Sequence, residues 1–304
     1  MTVSTQTYQP TMTVGQVYLR IAGSADPLRA IGNVSQLDLE IEEDVKDLTD
    51  YTAIGGGIWD TVARVKNVSL AVTLHDLDGE NLKLASHGAV TAVAAAAVPA
   101  EALTAVQGGL CRLAHPGPTL VTVTCATPAW VTATAYALGA QVRKTTSPSH
   151  VYQCTVAGTS GASEPTWKTD GTTTADGSTL VWADLGAFAA VDGTDFDVRP
   201  EGIMIRGGGI PSGCAISAAY SHGAYIAVEG LVTAQQTYEM AFGGLNEANA
   251  GSPCLLDVWR CKFGAAKKRG FIGDDFQAVE LSGRVLKDTS KGVGKSAYFR
   301  EQVV

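Results

Sequence analysis

The sequence predicts a mainly β chain carrying one short helix. Apolar and polar residues alternate with a period of two in one segment after another, the pattern of half-buried antiparallel strands. Clusters of Gly, Asn, Asp, Ser and Pro separate those segments. A single stretch, 76–88, combines a helix-starting carboxylate with a glycine stop.

Taken in order, residues 1–15 are polar and Thr-rich and read as an extended arm. Val17, Leu19 and Ile21 then alternate with Gln16, Tyr18 and Arg20 in a first strand that closes at Gly23. From 30 to 77 run two long strands that face each other. On the first, Leu37, Leu39 and Ile41 oppose Gln36, Asp38, Glu40 and Glu42; on the second, Val68, Leu70, Val72 and Leu74 oppose Ser69, Ala71, Thr73 and His75. Between them lie the acidic run from Glu43 to Tyr51 and then Gly55-Gly56-Gly57. So long a connection inside a compact domain is usually functional or disordered rather than a simple turn. An acidic arm extended beyond its own core implies a neighbour to receive it. The second strand changes phase near Lys66-Asn67, which predicts a bulge or the end of the projecting portion.

Asp76 or Asp78 caps a helix through residues 80–85, with Gly88 as its stop. The Ala-rich run 90–97 fits either helix or strand. Val121, Val123 and Cys125 return to strand. From 128 to 186 the composition shifts: Trp130, Trp167 and Trp182 fall here with Tyr136 and Tyr152, punctuated by turn signals at Gly139, Ser147-Pro148, Gly158 to Gly161, Asp170-Gly171 and Asp176-Gly177. This reads as a compact module of short strands inserted into a main domain made of 1–127 and 187–304. Further strands are expected at 203–206, 215–220, 224–231, 237–242, 255–263, 277–286 and 297–304.

The net charge of −8 argues against wrapping nucleic acid, which needs a basic face, but not against letting it pass. No apolar window is long enough to span a bilayer. The first five residues lack the basic and apolar regions of a secretory signal, so none is expected. Six scattered cysteines, Cys111, Cys125, Cys154, Cys214, Cys254 and Cys261, read as free thiols in a chain made in the cytosol.

Signals for an enzyme or a cofactor are weak. Residues 289–296 nearly spell a phosphate-binding loop, but Thr289 stands where the first glycine belongs and no helix is expected to follow. Residues 207–213 lack the dinucleotide spacing. His75, Asp76 and Asp78, and separately Asp192, Asp195 and Asp197, could hold a cation, yet capping and turn chemistry explain both groups. No nucleophile elbow occurs. We therefore expect no enzyme, no metal and no cofactor.

Charge is instead distributed by region. Glu40, Glu42, Glu43, Asp44, Asp47 and Asp50 crowd the arm, while the last third is basic, notably at Lys267, Lys268 and Arg269. Complementary patches on one chain favour head-to-tail stacking of identical copies, and the same charges fit equally an ordinary solvated surface. In the insert, Ala129-Trp130, Tyr136, Gly139, Val142, Tyr152 and Glu164-Pro165-Thr166-Trp167 resemble the chitin-binding-type modules of secreted glycosidases. Trp130, Tyr152, Trp167 and Trp182 are thus candidate glycan-facing aromatics, or else simply the core a small module needs.

The layout of 13–110 and 191–304 resembles the major tail tube proteins of long, non-contractile-tailed bacteriophages. The residues carrying the likeness are the strands and acidic loop at 30–77, the helix Glu80-Asn81-Leu82-Lys83-Leu84-Ala85, the segment 191–198 leading to Gly202-Ile203-Met204-Ile205, and Tyr238-Glu239-Met240-Ala241-Phe242 with Asn246-Glu247. The resemblance implies a β-sandwich or partial barrel flanked by a helix, completed into a tube by oligomerisation. Six copies would form a ring, and rings would stack into a conduit for DNA ejection. It also implies partners: further copies of the chain, a tape measure protein inside the tube, terminator and distal tail proteins at its ends, and genomic DNA passing without specific binding. The location implied is the virion tail, reached from the host cytoplasm. The insert, a glycan-binding adhesin in the alternative reading, would project outward toward host surface glycans.

Overall fold

The computed structural model describes residues 10–52, 54–146 and 150–303. Most of the expected N-terminal arm, the turn at Ser147-Pro148 and the terminal Val304 lie outside them. In chain order come β1 (Thr13–Ile21), β2 (Arg29–Ala30), β3 (Val34–Thr49), β4 (Ile58–Leu74), the helix α1 (Gly79–Ser86), β5 (Ala89–Val93), β6 (Ala96–Thr104), β7 (Leu110–Arg112) and β8 (Thr119–Cys125). The insert supplies β9 (Ala135–Tyr136), β10 (Gln141–Arg143), β11 (His150–Val156), β12 (Gly158–Thr159), β13 (Thr173–Asp176) and β14 (Leu180–Ala187). There follow β15 (Phe196–Arg199), β16 (Gly202–Ile205), β17 (Ala215–His222), β18 (Tyr225–Glu229), β19 (Tyr238–Asn246), β20 (Ser252–Phe263), β21 (Val279–Val285) and β22 (Phe299–Val303). The chain is mainly β, and 90–97 resolves into strand on both sides of a break.

Two compact units result, Met1–Thr91 with Ile226–Val304 and Ala92–Tyr225. The sequence placed the divisions at 127/128 and 186/187 instead. The difference has a physical cause: strands from 92–127 and 187–225 pair with one another, as β6-β17-β8 and β7-β16-β15, rather than with the eight-stranded sheet. Their core, built on Ile203, Ile205, Ile216 and Phe196, also takes in Val151 from the insert.

In the first unit an eight-stranded antiparallel sheet runs β2-β1-β19-β20-β21-β4-β3, with β22 beside β20. It curls enough for Val17 and Leu19 of β1 to share one core with Leu37 and Leu39 of β3, and with Leu84 and Ala85 of α1. The ends, β2 and β3, are not paired to each other among the described residues. Asp78 caps α1, its side chain accepting from Asn81 N at 2.7 Å. At the other end His87, not Gly88, takes the left-handed conformation at φ 47°, and Gly88 N closes on Lys83 O at 3.0 Å. Buried Asn81 ties helix to sheet by donating to Ile31 O and Asp76 O, both at 2.8 Å.

The insert is a four-stranded sheet, β10-β11-β14-β13, plus the short pair β12-β9. Its core is Trp130, Val142, Tyr152, Cys154, Leu180 and Trp182. All six cysteines of the chain are free thiols, and four of them, Cys111, Cys154, Cys214 and Cys261, are buried.

Candidate assembly site

The long hairpin stays paired from Val34 opposite Leu74 to Thr49 opposite Ile58, its register shifting at three places. Only its base is embedded. The neighbouring strand β21 reaches from Leu74 to Ser69 and stops, with Arg284 opposite Ser69. Beyond that point β3 and β4 continue as a bare two-stranded ribbon, roughly 30 Å long at about 3.3 Å per residue. The expected phase slip is a bulge: Glu42 faces Asn67, Glu43 faces Val65, and Lys66 is the extra residue. Freed from the ladder, Lys66 reaches back to Glu42 Oε1, and that contact raises the lysine's pKa. The apolar face leaves the core here as well, since Val68 is buried while Ile41 and Val65 are exposed.

From Glu40 to Lys66 the ribbon carries seven acids against three bases. Glu40, Glu42, Glu43, Asp44 and Asp47 are all exposed on it. Asp50 starts the tip, its carboxylate accepting from the Thr52 hydroxyl and amide, which hold it below the usual carboxylate range. Gly55, Gly56 and Gly57 then turn the chain with φ of 113°, 63° and 157°, values that a side chain would resist. Around this turn lie Tyr51, Ile54, Ile58 and Trp59, with Tyr51 85% and Trp59 64% exposed. Trp59 is itself a second bulge, between Asp60 and Ile58. The acidic residues were legible in the sequence; the apolar tip was missed. Its signal was there, in large apolar residues on either side of a glycine triplet.

Lys267, Lys268 and Arg269 sit at the opposite end of the same sheet. The β20–β21 connection delivers the chain to Val279, which pairs Leu74 at the hairpin's base, and Arg269 bridges Val279 directly. All three bases are exposed, and the Arg269 guanidinium lies 4.6 Å from the Phe271 ring centroid. Past them the loop exposes Phe271, Ile272 and Phe276, the last two at 98% and 96%, around Asp274-Asp275. Sequence reading found the three bases and missed these three apolar neighbours. One unit thus presents an acidic, apolar-tipped ribbon at one end and a basic, apolar-rimmed loop at the other.

Between these ends the sheet is open at its side. Thr13 to Gln16 pair only β19, and β3 pairs only β4, among the described residues. A cleft of about 630 Å³ separates them, lined by Val14, Val17, Leu37, Leu39, Phe242 and Leu256 among others.

The candidate glycan-facing aromatics require correction. Trp130, Tyr152 and Trp182 are buried, and Trp167 is half-buried with its ring stacked on Tyr152 at 4.0 Å. Trp130, Tyr152 and Trp182 form the core of the insert and offer no free face of the kind a sugar stacks on, while Trp167 packs against that core and stays half-exposed. Burial raises the Tyr152 phenol well above its ordinary pKa, with Asp184 and Glu164 adding to it.

The remaining candidates resolve into local chemistry. Asp76 accepts from Asn33 N, and buried Asp195 accepts from Val191 N and Gly209 N. Asp197 pairs with Arg206, which holds its carboxyl below the usual range. Near 289–296, Asp288 accepts from Ser290, Lys291 lies 3.8 Å over the Trp259 ring, and the strand β22 follows where a phosphate loop needs a helix. Among the described residues no three His, Cys, Asp or Glu side chains converge as metal ligands, and no helix is long and apolar enough to cross a membrane.

Fold and site together define a mainly β, two-unit protein whose first unit carries a projecting hairpin. The chain belongs to the family described as protein of unknown function UCP028589, whose model matches residues 10–167 and 168–302. No curated protein matches it.

Proposed function

We propose that this chain is a structural subunit that polymerises head to tail, as a tail tube protein of a long non-contractile phage tail does. The observation that carries the reading is the bare ribbon from Glu42 to Asn67 set against the basic loop at the far end of its own sheet. A lone two-stranded ribbon is marginal in water, and its free edges invite uncontrolled pairing. Docking on the next copy satisfies both. The acids of the ribbon meet Lys267, Lys268 and Arg269, while Tyr51, Ile54, Ile58 and Trp59 bury against Phe271, Ile272 and Phe276.

Sideways, the open edges of β1 and β3 and the cleft between them offer strand partners to neighbours in a ring. Rings of six follow from the resemblance to tail tube proteins. So do the tape measure protein and the terminator and distal tail proteins as partners. With a net charge of −8, a tube of such copies would repel phosphate and let DNA slide.

The test is assembly of the purified full chain, followed by light scattering and negative-stain microscopy as concentration rises. Rings or filaments are expected. The variant Ile54→Ser/Ile58→Ser/Trp59→Ser should keep its circular dichroism and melting temperature and lose assembly. A chain that stays monomeric at every concentration, and in virion extracts, sinks the reading.

A further inference from the structure

The second unit holds a cluster that the assembly reading does not use. His115, in the β7–β8 connection, stacks on His222 at the end of β17, with ring centroids 4.1 Å apart and planes 8° from parallel. His222 is buried, and its Nδ1 lies 2.9 Å from Gly223 O, so that nitrogen carries a proton. His115 Nδ1 lies 2.9 Å from the Tyr225 hydroxyl, and the Tyr225 ring sits edge-on to both imidazoles at 5.9 and 5.8 Å. Tyr220 closes the group, its ring 6.4 Å from His115 and its hydroxyl donating to Glu101 Oε2 at 2.6 Å. The Glu101 carboxylate also accepts from Ala114 N.

The ionisable groups facing the stack are therefore two phenols and, one hydroxyl away, a single carboxylate. Burial and the Glu101 contact push the Tyr220 phenol up to about 12, so it stays neutral where imidazole titrates. Glu101 is taken up by the Tyr220 hydroxyl and Ala114 N, so two imidazoliums would lie face to face with no carboxylate bonded to either ring among the described residues. Interacting pairs of this kind release or take up their protons in two separate steps.

We propose that the His115–His222 stack is an acid-sensitive latch that holds the 113–118 loop against the β17–β18 turn. The first proton is tolerated and the second drives the rings apart. The latch also holds Tyr225, the first residue of β18, through its hydroxyl. Histidine pairs at packed corners are suited to this role because their charge changes between pH 5 and 8.

The experiment follows the imidazole signals of the full chain by NMR from pH 8 to 4.5, alongside hydrogen exchange read by mass spectrometry. In the wild type the second imidazole of the pair should titrate about one pH unit or more below the first. Across that second step, exchange in 113–118 and 222–226 should rise at least about tenfold beyond the intrinsic pH effect. In His115→Gln the remaining ring should titrate once and the acid step in exchange should vanish. The wild-type measurement decides by itself even if the variant folds poorly. Two imidazoles titrating together, or exchange that ignores the second step, overturns the proposal.

Discussion

Trp130 and Trp182, fifty-two positions apart, donate their indole N–H groups to the same oxygen, Asp176 Oδ2, at 2.7 and 3.0 Å. The other carboxylate oxygen accepts from Gly161 N at 2.8 Å, and all three side chains are buried. The insert is organised on this one acceptor. Asp176→Ala would leave two buried indole donors and an amide without partners. At about 1–3 kcal/mol for each unsatisfied group, a loss of about 3 kcal/mol or more is expected. Asp176→Asn keeps one acceptor oxygen and should lose less. Urea unfolding followed by tryptophan fluorescence measures both, and an alanine variant within about 0.5 kcal/mol of wild type would show the node to be incidental.

This node also shows what a linear reading could and could not deliver. Strand positions were legible because half-burial writes a period of two into the residues themselves, as in β3, β4 and β20. The bulge at Lys66 was legible for the same reason, since an extra residue shifts the phase. Tertiary grouping was not. Nothing in the composition of 92–127 says that its strands pair with 187–225 rather than with the main sheet, because pairing partners are fixed by long-range packing. Aromatic residues in the insert were ambiguous in kind: a stacking platform and a small core ask for the same Trp and Tyr, and only burial separates them. The acidic ribbon and basic loop were visible as charge, whereas their placement at opposite ends of one sheet emerged only from the register of β4 with β21.

Thiol reactivity should follow burial. Burial pushes the Cys261 thiol up to about 12, and burial together with neighbouring Cys125 and Cys111 does the same for Cys214. At pH 8 their thiolate fraction is then roughly a thousandfold below that of an ordinary cysteine. Half-buried Cys125 and Cys254 should take up iodoacetamide first. Peptide mass spectrometry of the folded chain should find Cys214 and Cys261 unlabelled until denaturant is added. Early labelling of either would mean that its unit opens locally under native conditions.

Acid should weaken the insert through Glu164. Burial alone would raise this carboxyl, but the Thr145 hydroxyl and amide and the Trp167 indole all donate to it, Lys144 lies nearby, and the balance lowers its pKa. A carboxylate depressed in the folded state contributes stability that is fully present above its unfolded pKa, about 4.3, and is lost as pH falls through the lower folded value. Unfolding midpoints of the wild type should therefore drop as pH falls below about 4, and Thr145→Val should flatten that part of the profile. Parallel profiles for the two proteins would remove Glu164 from the account.

Exchanging charge between the two ends of the sheet tests the direction of assembly. Glu43→Lys/Asp44→Lys/Asp47→Lys on the ribbon, or Lys267→Glu/Lys268→Glu/Arg269→Glu on the loop, should each block polymerisation by setting like charges together. Both sets in one chain should restore it, because the attraction is then inverted but intact. Exposed pairs contribute about 0.2–1 kcal/mol each, so three of them shift the critical concentration by roughly 3- to 150-fold, within reach of sedimentation at all but the low end. Raising salt from about 50 to 500 mM should mimic part of the loss in the wild type, since the Debye length then falls well below 10 Å. The apolar tip at Tyr51, Ile54, Ile58 and Trp59 should retain some association in high salt, because burial of apolar surface is not screened. If the doubly exchanged chain fails to assemble while each single exchange also fails, the ribbon and the loop bind different partners, and the head-to-tail contact must be sought elsewhere on the sheet.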